Sequence, residues 1–352
     1  MLFGRSKGLI GLDIGSSTIK AIELKPSGKA FKVGAVAVQP VPPESIVDGS
    51  IIDSAAVTEA VRRVFAGKAF KSKAVAASLS GNAVIVKKIA LPVMSQKELS
   101  ESIYWEAEQY IPFEITDVNL DYEVIDPGTG PNGNGTMEVL LVAAKKDKIA
   151  DYTNVITQAG KTPVVVDVDA FALQNAYEAN YGPADGVVVL LNAGASAINI
   201  NILSGANSVF SRDVSMGGNA FTEAVQRELN LAFDGAEQLK KGQPLDGAHF
   251  DAARPALKAM TDNVLLEVEK TFDFYKGTAS NDHIDRIVLS GGASRVEGFA
   301  DALHERFQAP VERLDPFRQV GYDEGRLGIP AEEMAPVGAV AVGLALRRAG
   351  DR

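Results

Sequence analysis

The chain has 352 residues, 46% hydrophobic and 23% charged, enough for two or three domains with their own cores and unlike a disordered or membrane-spanning protein. Its formal charge of −10 argues against nucleic acid or anionic lipid as a direct partner. With no cysteine, disulfides and thiol catalysis are excluded, and three scattered histidines (His249, His283 and His304) argue against a histidine metal cluster.

The first stretch, MLFGRSKGLIGLDIG, lacks a signal-peptide pattern, and no window of about 18 apolar residues occurs, so a cytoplasmic protein is expected. From Gly11 to Leu24, GLDIGSSTIKAIEL reads as strand, tight turn, strand, with Asp13 before the turn and Lys20 after it. Residues 53–66 place Ala56, Ala60, Val61 and Val64 at helical spacing, and AVAASLSG and AVIVKKIALP read as strands. After Pro92, SQKELSESIYWEAEQYI opens with Ser95 and Glu98 at capping-box spacing, carries Leu99, Ile103, Ala107 and Tyr110 on one stripe and stops at Pro112, which predicts a helix. Strands at VNLDYEVI and MEVLLVAAKK flank DPGTGPNGNGT, whose glycine, proline and asparagine read as a mobile hairpin tip rather than a phosphate site. A helix near 147–159, a strand TPVVVDV and a helix near 170–180 follow, and GPADG then punctuates the chain.

What comes next restarts the pattern. Leu12, Gly15, Ser17 and Ile19 align in register with Leu191, Gly194, Ser196 and Ile198, so the chain carries a degenerate internal duplication. Ile198, Ile200 and Ile202 alternate with Asn199 and Asn201, which predicts a strand with one buried face and hence a second hairpin. A Gly-Ser-Ser turn lets main-chain N–H groups converge on an anion, with neighbouring hydroxyls as further donors. Asp13 is suited to hold Mg²⁺ through water, and Lys20 to neutralise a phosphate. A single such hairpin is equally consistent with an Asx or Ser/Thr turn beside a solvated lysine; two of them facing one cleft would clasp a polyphosphate. Downstream, IDRIVLSGGASRVEGFADALHERF reads as strand, Gly291-Gly292, then a helix with Phe299, Leu303 and Phe307 on one stripe. Ala172 and Ala176 on one helix, and Gly338, Ala341 and Ala345 on another, permit a close crossing that suits a hinge or an ordinary core.

The order phosphate hairpin, small-residue helix, phosphate hairpin, Gly-Gly, small-residue helix resembles the actin, Hsp70 and sugar-kinase superfamily. Within it, IGLDIGSSTIKAIEL, EAEQYIPFEITDVNLDYEVI, LLVAAKKDKI and MGGNAF closely resemble the FtsA-like PilM family of type IV pilus machines. The resemblance implies an α/β, duplicated actin-like (ribonuclease H-like) two-lobe ATPase fold with an FtsA-type 1C insertion. It places subdomain 1A at 1–84, 164–186 and 334–352, 1C at 85–163, 2A at 187–232 and 284–333, and 2B at 233–283.

The same resemblance implies ATP with Mg²⁺ between the lobes. Asp13, Gly15, Ser16, Ser17, Thr18 and Lys20 match the first phosphate motif, and Asn192, Gly194 and Ser196 fall in the second. Asp167, ahead of Asp169, falls where relatives orient the attacking water. Gly217 and Gly218 match the turn before an adenosine-side helix, Glu237, Lys240 and Lys241 the charged helix beside ribose and adenine, and Gly291 and Gly292 the adenosine turn; a solvated helix face is the plain alternative for the charged trio. The second hairpin departs from the pattern, with Asn192 for the carboxylate, Ala197 for the threonine and Asn199 for the lysine, so slow or absent hydrolysis is expected.

The implied role is a cytoplasmic assembly platform that binds the N-terminal cytoplasmic segment of PilN, reaching PilO and the pilus motor ATPases indirectly, with self-association also open. Trp105, Tyr110 and Phe113 lie in the distinctive segment, and core packing is expected for at least two of them. A small-molecule kinase on the same fold lacks a further carboxylate beyond Asp13 and Asp167. An FtsA-like division protein needs an amphipathic tether, whereas VGAVAVGLALRRAGDR reads as the small-residue helix itself, so membrane location is expected through a partner.

Overall fold

The computed structural model describes residues 8–67, 69–128, 135–246, 249–278 and 283–351. The tip of the glycine-rich hairpin, 129–134, lies outside the described residues.

Lobe I begins with the antiparallel hairpin β1 (Ile10–Ile14) and β2 (Thr18–Ser27), continued by β3 (Ala30–Pro40). A short ribbon of β4 (Ile46–Val47) and β5 (Ser50–Ile51) leads to α1 (Ser54–Val64), which Asp53 caps by accepting from the Ala56 N–H. Strand β6 (Ala74–Leu79) then pairs parallel to β1.

The inserted segment comprises β7 (Val84–Pro92), α2 (Gln96–Glu108), β8 (Val118–Asp126) and β9 (Thr136–Lys145), in an antiparallel sheet of order β7-β9-β8. Ser95 and Glu98 form the expected capping box on α2. Leu99, Ile103 and Ala107 of that helix meet Ile89, Leu91, Val139 and Leu141 in a core of their own. Tyr110 and Phe113 pack against this core, while Trp105 stays 72% exposed. The next helix, α3 (Lys146–Gln158), departs from the expected division. It buries Tyr152, Val155 and Ile156 among lobe I residues such as Leu12, Val57 and Val75. The insertion's separate core therefore ends with β9, because the apolar stripe of α3 fits the lobe I sheet.

Strand β10 (Thr162–Val168) pairs parallel to β6 and completes the lobe I sheet, order β10-β6-β1-β2-β3. After α4 (Asp169–Tyr181), lobe II repeats the plan with β11 (Val187–Ala193), β12 (Ile198–Ser204) and β13 (Asn207–Val214), then α5 (Gly218–Leu229), α6 (Phe233–Lys240) and α7 (Phe250–Thr278). Strand β14 (Arg286–Ser290), α8 (Phe299–Phe307), β15 (Val311–Arg313), α9 (Glu324–Leu327) and α10 (Ala331–Leu346) end the described elements. The lobe II sheet runs β13-β12-β11-β14-β15. In each sheet the first hairpin strand has two antiparallel neighbours in series on one side and two parallel ones on the other, so the duplication seen in the motifs extends to the whole sheet.

Helices α4 and α10 lie between the two sheets, where Ile22, Leu24 and Val33 of lobe I share one core with Val188, Leu190 and Val288 of lobe II. A Cβ added to Gly343 of α10 would stand 1.7 Å from the Ala172 carbonyl oxygen of α4, so only glycine permits that crossing. The alternation in β12 does not mark a solvated face: Asn199 and Asn201 are buried too, Asn201 against α4 and Asn199 between Asn192 and Asp213 at the interlobe cleft. Asn201 answers its burial by donating to the Ala170 carbonyl (2.9 Å) and accepting from the Ser208 hydroxyl (2.6 Å). Among the described residues no helix is long and apolar enough to cross a membrane.

Candidate functional site

The two hairpin turns have one backbone design. The Gly15 N–H donates to the Thr18 carbonyl at 3.2 Å, and the Gly194 N–H donates to the Ala197 carbonyl at 2.9 Å. They meet at the floor of a cleft of about 450 Å³, where the Ser16 and Ser196 hydroxyl oxygens lie 2.7 Å apart. Ser17, Thr18 and Lys20 line the same cleft from lobe I, and Asn192, Asn199 and Asp213 line it from lobe II.

Side chains opposed across each hairpin set the local charge. Asp13 and Lys20 are direct partners in β1–β2 and form an ion pair of 2.9 Å, with side-chain exposures of only 13% and 11%. Their counterparts Asn192 and Asn199 are direct partners in β11–β12, and the amide of the first donates to the carbonyl oxygen of the second at 2.9 Å. The Asn192 Oδ1 accepts from the Ser290 hydroxyl, and the Asn199 Nδ2 donates to Asp213 Oδ1 at 2.8 Å. Negative charge on the lobe II side is thus moved one strand outward, to Asp213. The other Asp213 oxygen accepts from the Gly81 N–H of lobe I, which ties the lobes together across the cleft.

At the other end of the cleft, the N–H groups of Gly218 and Asn219 donate to the carbonyls of Gly194 and Ala195, each at 2.8 Å, so α5 starts against the second turn. Gly217 does not line the cleft; it lies behind the turn, against the Gly194 and Ala195 carbonyls. The charged trio on α6 is no solvated face. Lys240 is 10% exposed and pairs with Glu237, which also accepts from the Thr222 hydroxyl at 2.6 Å, and only Lys241 reaches well into solvent. Burial alone would raise the Glu237 carboxyl, but the Lys240 ammonium and these hydrogen bonds hold it below its ordinary value. Gly291, at φ 89°, passes so close to β11 that a Cβ would lie 2.2 Å from the Ala193 carbonyl oxygen; Gly292 continues the cleft wall.

Asp167 is a correction. It is the penultimate residue of the edge strand β10 and lies outside the cleft lining, 3.4 Å from the Arg347 guanidinium and 6% exposed. The chain turns into α4 immediately after Val168, and this turn delivers Asp169 to the cleft instead. The Asp169 carboxylate accepts from the Ser78 hydroxyl at 2.5 Å, and burial together with the nearby Asp13 charge pushes its pKa up to about 6.

Ser80, Gly81 and Asp213 were not among the residues singled out from the sequence, and neither was Lys148. Lys148 is the one with a legible signal, since it stands on the stripe that also carries Tyr152, Val155 and Ile156, an odd place for a lysine.

The donor set fits a nucleoside triphosphate with a divalent ion. Bare backbone at Gly291 and in both turns, cations at Lys20 and Lys240, and the Asp13 carboxylate all border one cleft. Among the described residues no group of three or more acidic, histidine or cysteine side chains converges on a metal site.

Fold and cleft together define a protein of the actin-like ATPase fold. The ethanolamine utilization protein EutJ from Carboxydothermus hydrogenoformans superposes with a TM-score of 0.56 at 14% identity, over 96% of this chain and 89% of that one. MreB5 of Spiroplasma citri bound to AMPPNP does so with a TM-score of 0.55 at 13% identity, over 97% and 95%. A solved PilM–PilN type IV pilus biogenesis complex matches at 32% identity, with a TM-score of 0.83, over 98% of this chain and 99% of that one. The family model for type IV pilus assembly protein PilM matches residues 11–349. The chain belongs to the PilM family of type IV pilus assembly proteins.

Proposed function

We propose that this chain binds ATP with Mg²⁺ in the interlobe cleft and hydrolyses it slowly or not at all, and that nucleotide occupancy shapes a scaffold for the pilus assembly platform. The observation that carries this reading is the 2.7 Å meeting of Ser16 and Ser196, which brings two copies of one turn to a single floor. In it, the Gly15–Thr18 turn, Gly194 and Ser196 hold phosphate oxygens, Lys20 offsets their charge, and Asp13 holds Mg²⁺ through water. Gly218, Gly291 and Gly292 face the adenosine, with Glu237, Lys240 and Lys241 beside the ribose. Asp169 orients water, its raised pKa placing it near the working range of a general base. Slow turnover follows from Asn192, an amide that cannot act as a base. The bound nucleotide supplies an anhydride whose γ-phosphoryl group is the electrophile.

The partner is the cytoplasmic N-terminal segment of PilN, supported by the likeness to a chain of a PilM–PilN complex. Contact with PilO and the motor ATPases runs through that partner, and the protein lies on the cytoplasmic side of the inner membrane. Calorimetric titration of the full chain with ATP, with and without Mg²⁺, tests the nucleotide reading. Saturable binding that tightens with Mg²⁺ and loses this Mg²⁺ dependence in Asp13→Asn is expected; no binding of ATP or ADP would overturn it.

A further inference from the structure

We propose that Lys148 is a positioning residue that couples the inserted sheet to the second phosphate turn through a single peptide group, Ser80–Gly81. The proposal deepens the nucleotide reading and rests on it for what lies at the far end. Lys148 stands on α3, just past the end of β9, the central strand of the inserted sheet. It is 5% exposed, and among the described residues it makes no ion pair. Its ammonium instead donates to the Ser80 carbonyl at 2.7 Å. The N–H of the same peptide group, that of Gly81, donates to Asp213 of lobe II.

A cation at the oxygen end and a carboxylate at the hydrogen end both complement the peptide dipole, so each hydrogen bond strengthens the other. From Asp213 the chain of bonds runs through Asn199 and Asn192 to Ser290, with every donor on that side pointing back toward the carboxylate. Asp213 is thus a shared acceptor for groups from both lobes. Strand β7, which starts just after Gly81, lies beside β13, which carries Asp213, so the inserted sheet borders the latch directly. A shift of β9 moves Lys148, weakens the Gly81–Asp213 bond, and frees the lobes to open at the phosphate end.

Burial lowers the Lys148 pKa while Asp169, Asp213, Asp147 and Asp48 oppose that change, consistent with an ammonium held in place by surrounding charge rather than by one contact.

The test uses the full chain and two readouts. In nucleotide-free protein, Lys148→Met should speed amide exchange of Gly81 at least about tenfold, and Lys148→Arg should restore protection. In ATP titrations, Lys148→Met and Asp213→Ala should each weaken binding by about tenfold or more, and the double variant should lose no more than the worse single one. Unchanged Gly81 exchange in Lys148→Met, or additive losses, would overturn the coupling. If wild-type protein binds no ATP, the exchange readout still decides the latch, and only the nucleotide reading falls. Should Lys148→Met fail to fold, exchange along 146–158 decides: ATP should protect that helix in wild type and not in Asp213→Ala, and equal protection in both would overturn the proposal.

Discussion

Asp13 with Lys20, and Asn192 with Asn199, occupy the same cross-strand position in two copies of one hairpin, yet one pair is ionic and the other neutral. The neutral pair is fixed by its neighbours, since the Asn199 amide is committed to Asp213 and the Asn192 oxygen to Ser290. Asn192→Asp alone would set a carboxylate against the Asn199 oxygen. The latter amide relieves that clash only by turning over and abandoning Asp213. We expect a loss of about 1–3 kcal/mol in urea unfolding. Adding Asn199→Lys should recover most of it by recreating the first hairpin's pair, and a single variant as stable as its parent would refute the account. Asp169 supplies a pH dependence. Its pKa is about 6 in the folded chain against an ordinary value of 3.8, so the folded state holds the proton longer. Stability from this group is fully present below pH 3.8 and is lost as pH rises through about 6. In nucleotide-free, metal-free protein, Asp169→Asn should therefore raise the melting temperature at pH 7 to 8, by the equivalent of about 2–3 kcal/mol, with the gain gone near pH 4. An equal gain at both pH values would assign the effect to packing. The motif spacing fixes the turns, so Asp13, Lys20, Gly15 and Gly194 were legible as cleft residues, while Gly217, expected beside them, lies behind the second turn. Asp167 and Asp169 stand two residues apart and are told apart only by the strand-to-helix turn at Val168, which the residue pattern does not specify.

At the scale of elements, the α4–α10 crossing carries the connection between lobes. Small residues in both segments announced a close approach, but not which of them touches. Gly338, Ala341 and Ala345 are on the stripe, and the tightest point is Gly343 against the Ala172 carbonyl. Gly343→Ala places a methyl group into a backbone oxygen that has no room to yield, and should cost about 1–3 kcal/mol or more. Gly338→Ala presses on the terminal methyl of Met334 at 3.1 Å and makes ordinary contact with the Phe317 ring at 3.5 Å, with no backbone atom in the way, and the better helix propensity of alanine offsets part of that crowding, so its unfolding midpoint should move far less. Chemical denaturation of the pair checks both, and matching midpoints would mean the crossing is looser than the structure shows. The hairpins, α1, α2 and both phosphate turns were legible because caps, periodicity and turn residues act locally. Two features were not. Burial of Asn201 in β12 depends on contact with α4, and that of Asn199 on Asp213 one strand over, and α3 looks like part of the insertion until its stripe is seen to fill the lobe I core.

At the scale of the whole molecule, α3 constrains how partner binding is to be examined. Deleting 93–160 would strip Tyr152, Val155 and Ile156 from the lobe I core, so a surface reporter is needed. Trp105 provides one, being the chain's sole tryptophan and 72% exposed on α2. If the insertion takes part in the PilN interface, the N-terminal PilN segment should shift Trp105 emission to shorter wavelength, and saturable binding with unaltered emission would remove this face of α2 from it. The cleft and that surface belong to one two-lobe frame. Lobe I and lobe II share one core around α4 and α10 and are latched by Gly81 and Asp213, so a ligand that touches both phosphate turns biases a rigid-body equilibrium. Any partner surface that changes with closure must then respond, and thermodynamic linkage makes the response reciprocal. ATP with Mg²⁺ should change the affinity for the PilN segment by some factor, and the segment should change the affinity for ATP by the same factor. Both numbers come from titrations of one protein sample. A shared factor of about 5–150 would mean a coupling of about 1–3 kcal/mol through closure. A factor of one in both directions would mean that the partner reads a surface indifferent to the nucleotide, and ATP would then serve only to hold the two lobes together.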